Sequence, residues 1–375
     1  METPSGFNLI RLGDVAEVFD GPHATPRKVD SGPWYLNIAS LTNGRVDLRQ
    51  STHIHHDDVA KWTRRVQPQQ GDTLFSYETR LGEAGYWDSA APAVLGRRMG
   101  LLRPKPGRVI ARYLTYAYLG EQFQEVLRKG TLYGVTVNRI PVGALPNWPI
   151  LLPSIEEQQR IAGVLGAFDD LIETNLRLAV DLRTAISTSY ELERRKADTI
   201  VPLSEVADHG PGKYLAKDEY RSGGAYPVFG SNSRMGTHSE AMYEGTMTVL
   251  ARIGSNCGAL HLHSGGAWIN NNASIIQSHD ARVAVRLHES LERVDMDLHR
   301  SGSGQPFIQT KSLMAEQIPW PSITPNSWDA TAQTLLDAAA DAETDAIFLK
   351  SRRDELLPLL VSGKVRVSEV EGSLP

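Results

Sequence analysis

LLPSIEEQQRIAGVLGAFDDLIETN, residues 151–175, is the stretch from which the rest of the chain can be read. Pro153-Ser154 followed by Glu157 is a capping-box start: the Ser154 hydroxyl can accept the Glu157 N–H, and the Glu157 carboxylate can reach back. From there Ile161, Phe168, Asn175, Leu182 and Ser189 recur at one heptad position, and Val164, Leu171, Leu178, Ala185 and Leu192 at a second. Leu165, Ile172, Ala179 and Ile186 widen the apolar stripe. The periodicity predicts one helix to about Lys196, a rod of roughly 60 Å at about 1.5 Å per residue. Asn175 on the seam would fix register at some cost in stability.

A seam needs a partner. Near the C-terminus Trp328, Ala332, Leu335, Ala339, Ala342, Ala346, Leu349, Arg353 and Leu356 step by four and three residues, and the run closes at Ser362-Gly363. Its alanines allow close backbone approach, which predicts an antiparallel two-helix coiled coil.

The segments ahead of the two rods echo each other. Leu12-Gly13-Asp14-Val15-Ala16 recurs as Leu203-Ser204-Glu205-Val206-Ala207. Arg80-Leu81-Gly82 recurs as Arg252-Ile253-Gly254, with Gly85 and Gly258 following. Gly130 precedes Trp148-Pro149 by the interval that separates Gly302 from Trp320-Pro321. Such ordered echoes predict an internal repeat. The segments are rich in Gly, Pro and aromatic residues, carry short alternating runs such as residues 246–253, and have one evident helix at 111–129, so they read as β-rich. The expected class is α+β: two β-rich globules separated by two long antiparallel helices, with a pseudo-two-fold repeat. The expected divisions are residues 1–152 and 199–322 for the globules, 153–198 for the central helix and 323–375 for the second helix and tail. The rod would then act as a ruler between two similar readers.

Composition sets bounds on this reading. The 375 residues suffice for several cores, and the single cysteine, Cys257, excludes an internal disulfide framework. No apolar run is long enough to span a bilayer and the start lacks a signal-peptide core, so no membrane association is expected and the expected location is cytoplasmic. The net charge of −5 is at odds with nucleic-acid binding overall, yet residues 61–112 hold ten Lys and Arg against four acids. Local patches, not the total, decide contacts.

The 153–175 stretch resembles the helix start of the specificity (S) subunits of type I restriction-modification systems. The ending Arg352-Arg353-Asp354-Glu355-Leu356-Leu357-Pro358-Leu359-Leu360-Val361-Ser362-Gly363-Lys364-Val365 is similar to that family's ending. The second approach departs from the pattern: Trp320-Pro321-Ser322-Ile323-Thr324-Pro325-Asn326 lacks the Glu157-Gln158 pair of the first, which suggests that Thr324 caps the second helix ahead of Pro325. The resemblance implies a non-catalytic subunit whose target-recognition domains at 1–152 and 199–322 each bind one half of a split double-stranded DNA site. It implies two modification (methyltransferase) subunits and restriction subunits as partners, with S-adenosylmethionine, ATP and Mg held on those partners and none here.

The chemistry present agrees with that expectation. The chain has no Asn-Pro-Pro-Tyr or Asp-Pro-Pro-Tyr methyltransferase loop and no GxxxxGK[ST] phosphate loop. His53-Ile54-His55-His56-Asp57-Asp58 is the rival signal, a partial metal box that would make the chain a metal-dependent hydrolase. A coiled-coil protein adaptor is the third reading. Arg, Lys, Asn, Gln and Tyr on glycine-rich loops suit base edges and phosphates. In the first globule these are Tyr77, Arg80, Arg97, Arg98, Asn138 and Arg139. In the second they are Lys213, Tyr214, Asn232, Arg234, Arg252, Asn256, Gln305 and Gln309. Arg80 and Arg252 are expected to be equivalent, both clamping phosphate.

Overall fold

The computed structural model describes residues 4, 6–22, 25–42, 44–134, 137–220, 224–231 and 233–367. The chain divides into two compact units: residues 1–174 with 346–375, and residues 175–345. Both long helices are therefore shared between the units, each unit combining a β-rich part with half of each helix.

The central helix runs Ile155–Glu193 and the C-terminal one Ser327–Val361. At the first start Ser154 Oγ accepts the Glu157 N–H at 3.4 Å, but the Glu157 carboxylate accepts from Arg160 instead of turning back. At the second start the cap is Asn326, not Thr324. Asn326 Oδ1 accepts the Trp328 N–H at 2.9 Å, and Asp329 accepts the Asn326 N–H at 2.8 Å. This carboxylate-closed cap replaces the missing Glu-Gln pair. At the far end Gly363, at φ +71°, closes the helix with Lys364 N–H to Leu359 O and Gly363 N–H to Leu360 O.

The two helices run antiparallel in each unit. In the second unit Ala179 packs with Ala339 and Ala342, and Ile186 with Ala332 and Leu336. In the first, Ile161 and Leu165 share a core with Leu360 and Val361, and Arg353 meets Asp169 at 3.2 Å with both side chains buried. The stripe on the C-terminal helix is as expected. On the central helix the seam is the line Leu165, Ile172, Ala179 and Ile186, while Leu171, Leu178 and Leu192 are 51%, 45% and 66% exposed. Those three are surface residues: the register turns the helix by one position so that the small Ala179 meets the alanines opposite.

In the first unit six strands form one sheet in the order Ala16–Asp20, Met99–Pro104, Thr73–Ser76, Ala84–Tyr86, Gly44–Val46, Leu41–Thr42. In the second, four strands run Ala207–Pro211, Ala273–Ser278, Met247–Ala251, Leu260–His263. The first four strands of the larger sheet match the four of the smaller in order and direction. A three-stranded sheet accompanies each. Lys28–Leu36 pairs antiparallel to Thr52–Ile54 and parallel to Ala93–Leu95, just as Tyr226–Gly230 pairs antiparallel to Ser233–His238 and parallel to Trp268–Ile269. A two-stranded ribbon leads into each long helix, Phe7–Arg11 with Pro149–Pro153 and Thr199–Pro202 with Gln317–Trp320. The internal repeat is thus a repeat of topology.

The helix expected at 111–129 is two, Ala111–Leu119 and Glu121–Gly130, because Gly120 adopts extended backbone (ψ 143°) between them. Among the described residues no helix is long and apolar enough to cross a membrane.

Candidate nucleic-acid interface

In both units three loops meet at the same end of the equivalent strands. In the first unit the Tyr77 N–H donates to Arg98 O at 3.2 Å, and the Ile140 N–H donates to Tyr77 O at 2.9 Å. In the second the Arg252 N–H donates to Asn272 O at 3.0 Å, and the Ile308 N–H donates to Arg252 O at 2.9 Å. The bridge between Glu78 and Arg139 is matched by that between Ile253 and Phe307. Loops 77–82 and 96–98, with residues 132–134 and 137–139, therefore correspond to loops 252–258, 270–272 and 302–307.

A fourth segment closes each cluster. A Cβ at Gly21 would lie 2.6 Å from Met99 O, and one at Gly212 would lie 2.5 Å from Ala273 O. Met99 and Ala273 hold the same register position. Only glycine lets these segments pass so close to the neighbouring carbonyls.

This register corrects one expectation. Arg252 corresponds to Tyr77, not to Arg80, and Gly254 to Thr79. The backbone at that place is left-handed in both units, φ +69° at Thr79 and +108° at Gly254. Glycine adopts it freely, while Thr79 adopts it at a cost.

Tyr77 is no surface reader. It is 4% exposed within the core of the first unit, and burial, reinforced by the Asp20 and Glu78 carboxylates, pushes its hydroxyl up to about 12. Arg80 is an internal brace. Its Nε donates to Glu83 at 2.7 Å and its Nη atoms donate to Ile38 O and Leu41 O at 3.1 and 3.0 Å. Arg98 is held by Glu78 at 2.8 Å and by Thr79 Oγ1 at 3.2 Å. Arg97, Asn138 and Arg139 are exposed on the same cluster, and no acid pairs with Arg97 or Arg139 among the described residues.

In the second unit Arg252 is half-buried and donates to Asn271 O at 3.0 Å, and its charge adds to burial in pulling His209 down. Arg252 is thus tied to the neighbouring 270–272 loop, as Arg80 is tied to the carbonyls of Ile38 and Leu41. Lys213 and Tyr214 are exposed, with the Lys213 N–H on Ile269 O at 2.8 Å beside the 270–272 loop. Arg234 is exposed on the strand paired with Phe229, whose carbonyl accepts the Asn270 N–H at 2.8 Å. Asn256 and Gln305 are exposed on the cluster loops, and Gln309 is exposed just beyond, ahead of the short helix Thr310–Met314. Asn232 lies outside the described residues.

Two groups of residues escaped the sequence reading. Lys61, Arg64 and Arg65 line a cavity of about 360 Å³ with Asp20, Gly21 and Trp62, next to the first cluster. Arg65 is bound to Asp20 at 2.6 Å, whereas Lys61 and Arg64 are exposed. Asn270-Asn271-Asn272, the counterpart of Gly96-Arg97-Arg98, was the other; three consecutive residues of low strand propensity between two apolar runs were the available signal. Of the basic excess over 61–112, much is neutralised internally: Arg103 by Asp72 at 2.7 Å, Arg112 by Asp170 at 2.6 Å, with Arg80 and Arg98 as above.

The His53 motif forms no ligand set. His53 Nδ1 meets Gly32 O at 2.7 Å and its ring lies on Trp34, while His55 Nδ1 accepts the Asp57 N–H. Among the described residues no three His, Cys, Asp or Glu groups gather as a metal site.

Residues 4–181 match the model of the type I restriction modification DNA specificity domain. The chain is 26% identical over 181 residues to the putative type I restriction enzyme MjaX specificity subunit of Methanocaldococcus jannaschii, covering 46% of this chain and 42% of that protein. It is 26% identical over 181 residues to the putative type I specificity subunit S.MpnORF638P of Mycoplasma pneumoniae, covering 43% and 48%. The matched part of this chain thus spans less than half the length of either relative. In fold it is similar to the type I restriction-modification system S subunit from M. genitalium, with a TM-score of 0.60 at 16% identity over 96% of this chain and 97% of that one. Residues 4–181 are thus similar to the type I restriction modification DNA specificity domain, and the chain as a whole has the fold of a solved type I S subunit.

Proposed function

We propose that the chain is the sequence-specificity subunit of a type I restriction-modification complex, binding duplex DNA at a two-part site with one loop cluster per half. The observation that carries this reading is the building of one cluster twice on the same strand frame with unlike tips. The equivalent connections are Gly96-Arg97-Arg98 and Asn270-Asn271-Asn272, anchored by the same backbone hydrogen bonds. A repeated frame with different side chains suits recognition of two different short sequences. Repeated catalytic machinery would instead repeat its reactive groups. The chain itself is non-catalytic on this reading, and modification and restriction subunits supply S-adenosylmethionine, ATP and Mg chemistry.

The test is selection from a random duplex pool by the chain purified with its modification subunit, followed by sequencing of the bound DNA. A two-part motif with a fixed gap is expected. Enrichment of no sequence would leave the adaptor reading in its place.

A further inference from the structure

We infer that the two three-residue connections are the base-reading elements, Arg97 selecting a guanine in one half-site and the Asn271-Asn272 pair an adenine in the other. This rests on the DNA-specificity reading above and goes beyond it by assigning residues to bases.

The first residue of each connection belongs to the frame. The Gly96 N–H donates to Leu36 O at 2.6 Å and the Asn270 N–H to Phe229 O at 2.8 Å, the carbonyls of equivalent central strands. Asn270 is 5% exposed and its amide donates to Leu215 O at 3.4 Å, so its side chain belongs to the interior. The remaining two positions differ in how free they are. Arg98 is committed to Glu78 and Thr79, whereas the Arg97 N–H is fixed on the Tyr35 hydroxyl at 3.2 Å with its guanidinium exposed. In the second unit both connecting carbonyls are used, Asn271 O by Arg252 Nη2 and Asn272 O by the Arg252 and Ile253 N–H groups. The Asn271 and Asn272 amides have no hydrogen-bond partner among the described residues, and Asn272 is exposed.

Each free side chain thus stands on a backbone clamped from both sides, the preorganisation that base readout needs. A guanidinium fork matches the O6 and N7 acceptors of guanine, and a side-chain amide matches the N6 donor and N7 acceptor of adenine in the major groove. Arg97 is paired with no acid among the described residues, and its counterpart Asn271 carries no charge, so the equivalent positions share hydrogen-bonding side chains suited to base edges and not a charge suited to phosphate.

The experiment compares the full chain, Arg97→Ala, Arg97→Asn and Asn271→Ala/Asn272→Ala, each with its modification subunit, in bound-pool sequencing and in salt-dependent binding to the selected duplex. Arg97→Ala should relax one guanine position of one half-site by roughly 5- to 150-fold and leave the other half-site unchanged. Arg97→Asn should move that position toward adenine, and the asparagine double variant should relax an adenine in the other half. A uniform loss across sequences with a lower salt slope would make Arg97 a phosphate clamp and overturn the assignment while the two-part motif persists. Failure of the unmodified chain to enrich any motif would overturn the function reading itself, and this inference with it. Circular dichroism of each variant separates loss of folding from loss of reading, and a variant that unfolds is replaced by Arg97→Gln or Asn272→Ser.

Discussion

The guanidinium of Arg286 grips the carboxylate of Asp329 at 2.8 and 2.9 Å, and each side chain is about 1% exposed. Glu193 joins at 3.1 Å, so a residue of the short helix Ala284–Leu291 bonds to both long helices within the second unit. Removing one member of such a cluster leaves the others buried without compensation, whereas surface pairs are worth little. Arg286→Ala should therefore destabilise the protein by about 3–5 kcal/mol, measured by denaturant unfolding. A loss under about 1 kcal/mol would mean that water relieves the two stranded carboxylates.

Glu193 gives the same cluster a pH dependence. Burial pushes its carboxyl up, but hydrogen bonds from Lys196, Asn326 and Arg286 outweigh that and hold it down to about 2. A carboxyl whose folded pKa is depressed contributes stability above its unfolded value, near 4.5, and that contribution disappears as pH falls toward 2. Thermal stability should drop through this window, by on the order of 2–3 kcal/mol from this group. Glu193→Gln should lower stability at neutral pH and flatten the acid limb between pH 4.5 and 2. An acid limb of unchanged steepness in the variant would assign the loss to other carboxylates.

Leu171 and Ile172 are neighbours with opposite fates: 51% exposed and 5% exposed. Leu171→Asp should change stability by less than about 0.5 kcal/mol, and Ile172→Ala should cost about 2–5 kcal/mol. Melting temperatures of the two variants decide the register, and the reverse order would place the seam one position away.

How much of this was legible follows from what sequence patterns encode. The LGDVA and LSEVA echoes sit at equivalent places because both set the turn from ribbon to first sheet strand, a local requirement. The Trp-Pro echo does not. The Leu12 N–H donates to Trp148 O and the Leu203 N–H to Glu316 O, so Trp148 corresponds to Glu316, four residues ahead of Trp320. A dipeptide carries no register, since register is settled by long-range pairing and by the pleat. A slip of three residues in the opposite direction paired Arg80 with Arg252. In the candidate interface, residue type and loop setting were visible for Arg97, Asn138, Arg139 and Gln305. The burial of Tyr77 and the internal pairing of Arg80 and Arg98 were not, because their surroundings include Ile38, Leu41 and a strand edge from elsewhere in the chain. The helix stripe was legible in period, yet three candidate lines fitted it, and only the alanines opposite select the line through Ala179.

Arg80 and Arg139 test whether an arginine's role follows from its partners. Arg80 is bonded to Glu83 and to two carbonyls, while Arg139 is exposed, with its backbone pinned to Leu132 at 2.9 and 3.0 Å and no acid beside it among the described residues. Arg80→Ala strands the Ile38 and Leu41 carbonyls and frees the 77–82 loop. It should lower stability by about 1–2 kcal/mol and leave the salt slope of DNA binding unchanged. Arg139→Ala removes only a solvent-facing charge. It should keep the melting temperature within about a degree, weaken binding to all sequences, and reduce the salt slope by about one unit. Both readouts come from one set of binding isotherms at several salt concentrations and one thermal melt per variant. A reduced salt slope for Arg80→Ala would show that its guanidinium leaves Glu83 when DNA arrives, making the apo pairing a resting contact. An unchanged slope for Arg139→Ala would move the backbone contact to the exposed Lys61 and Arg64 side of the cluster.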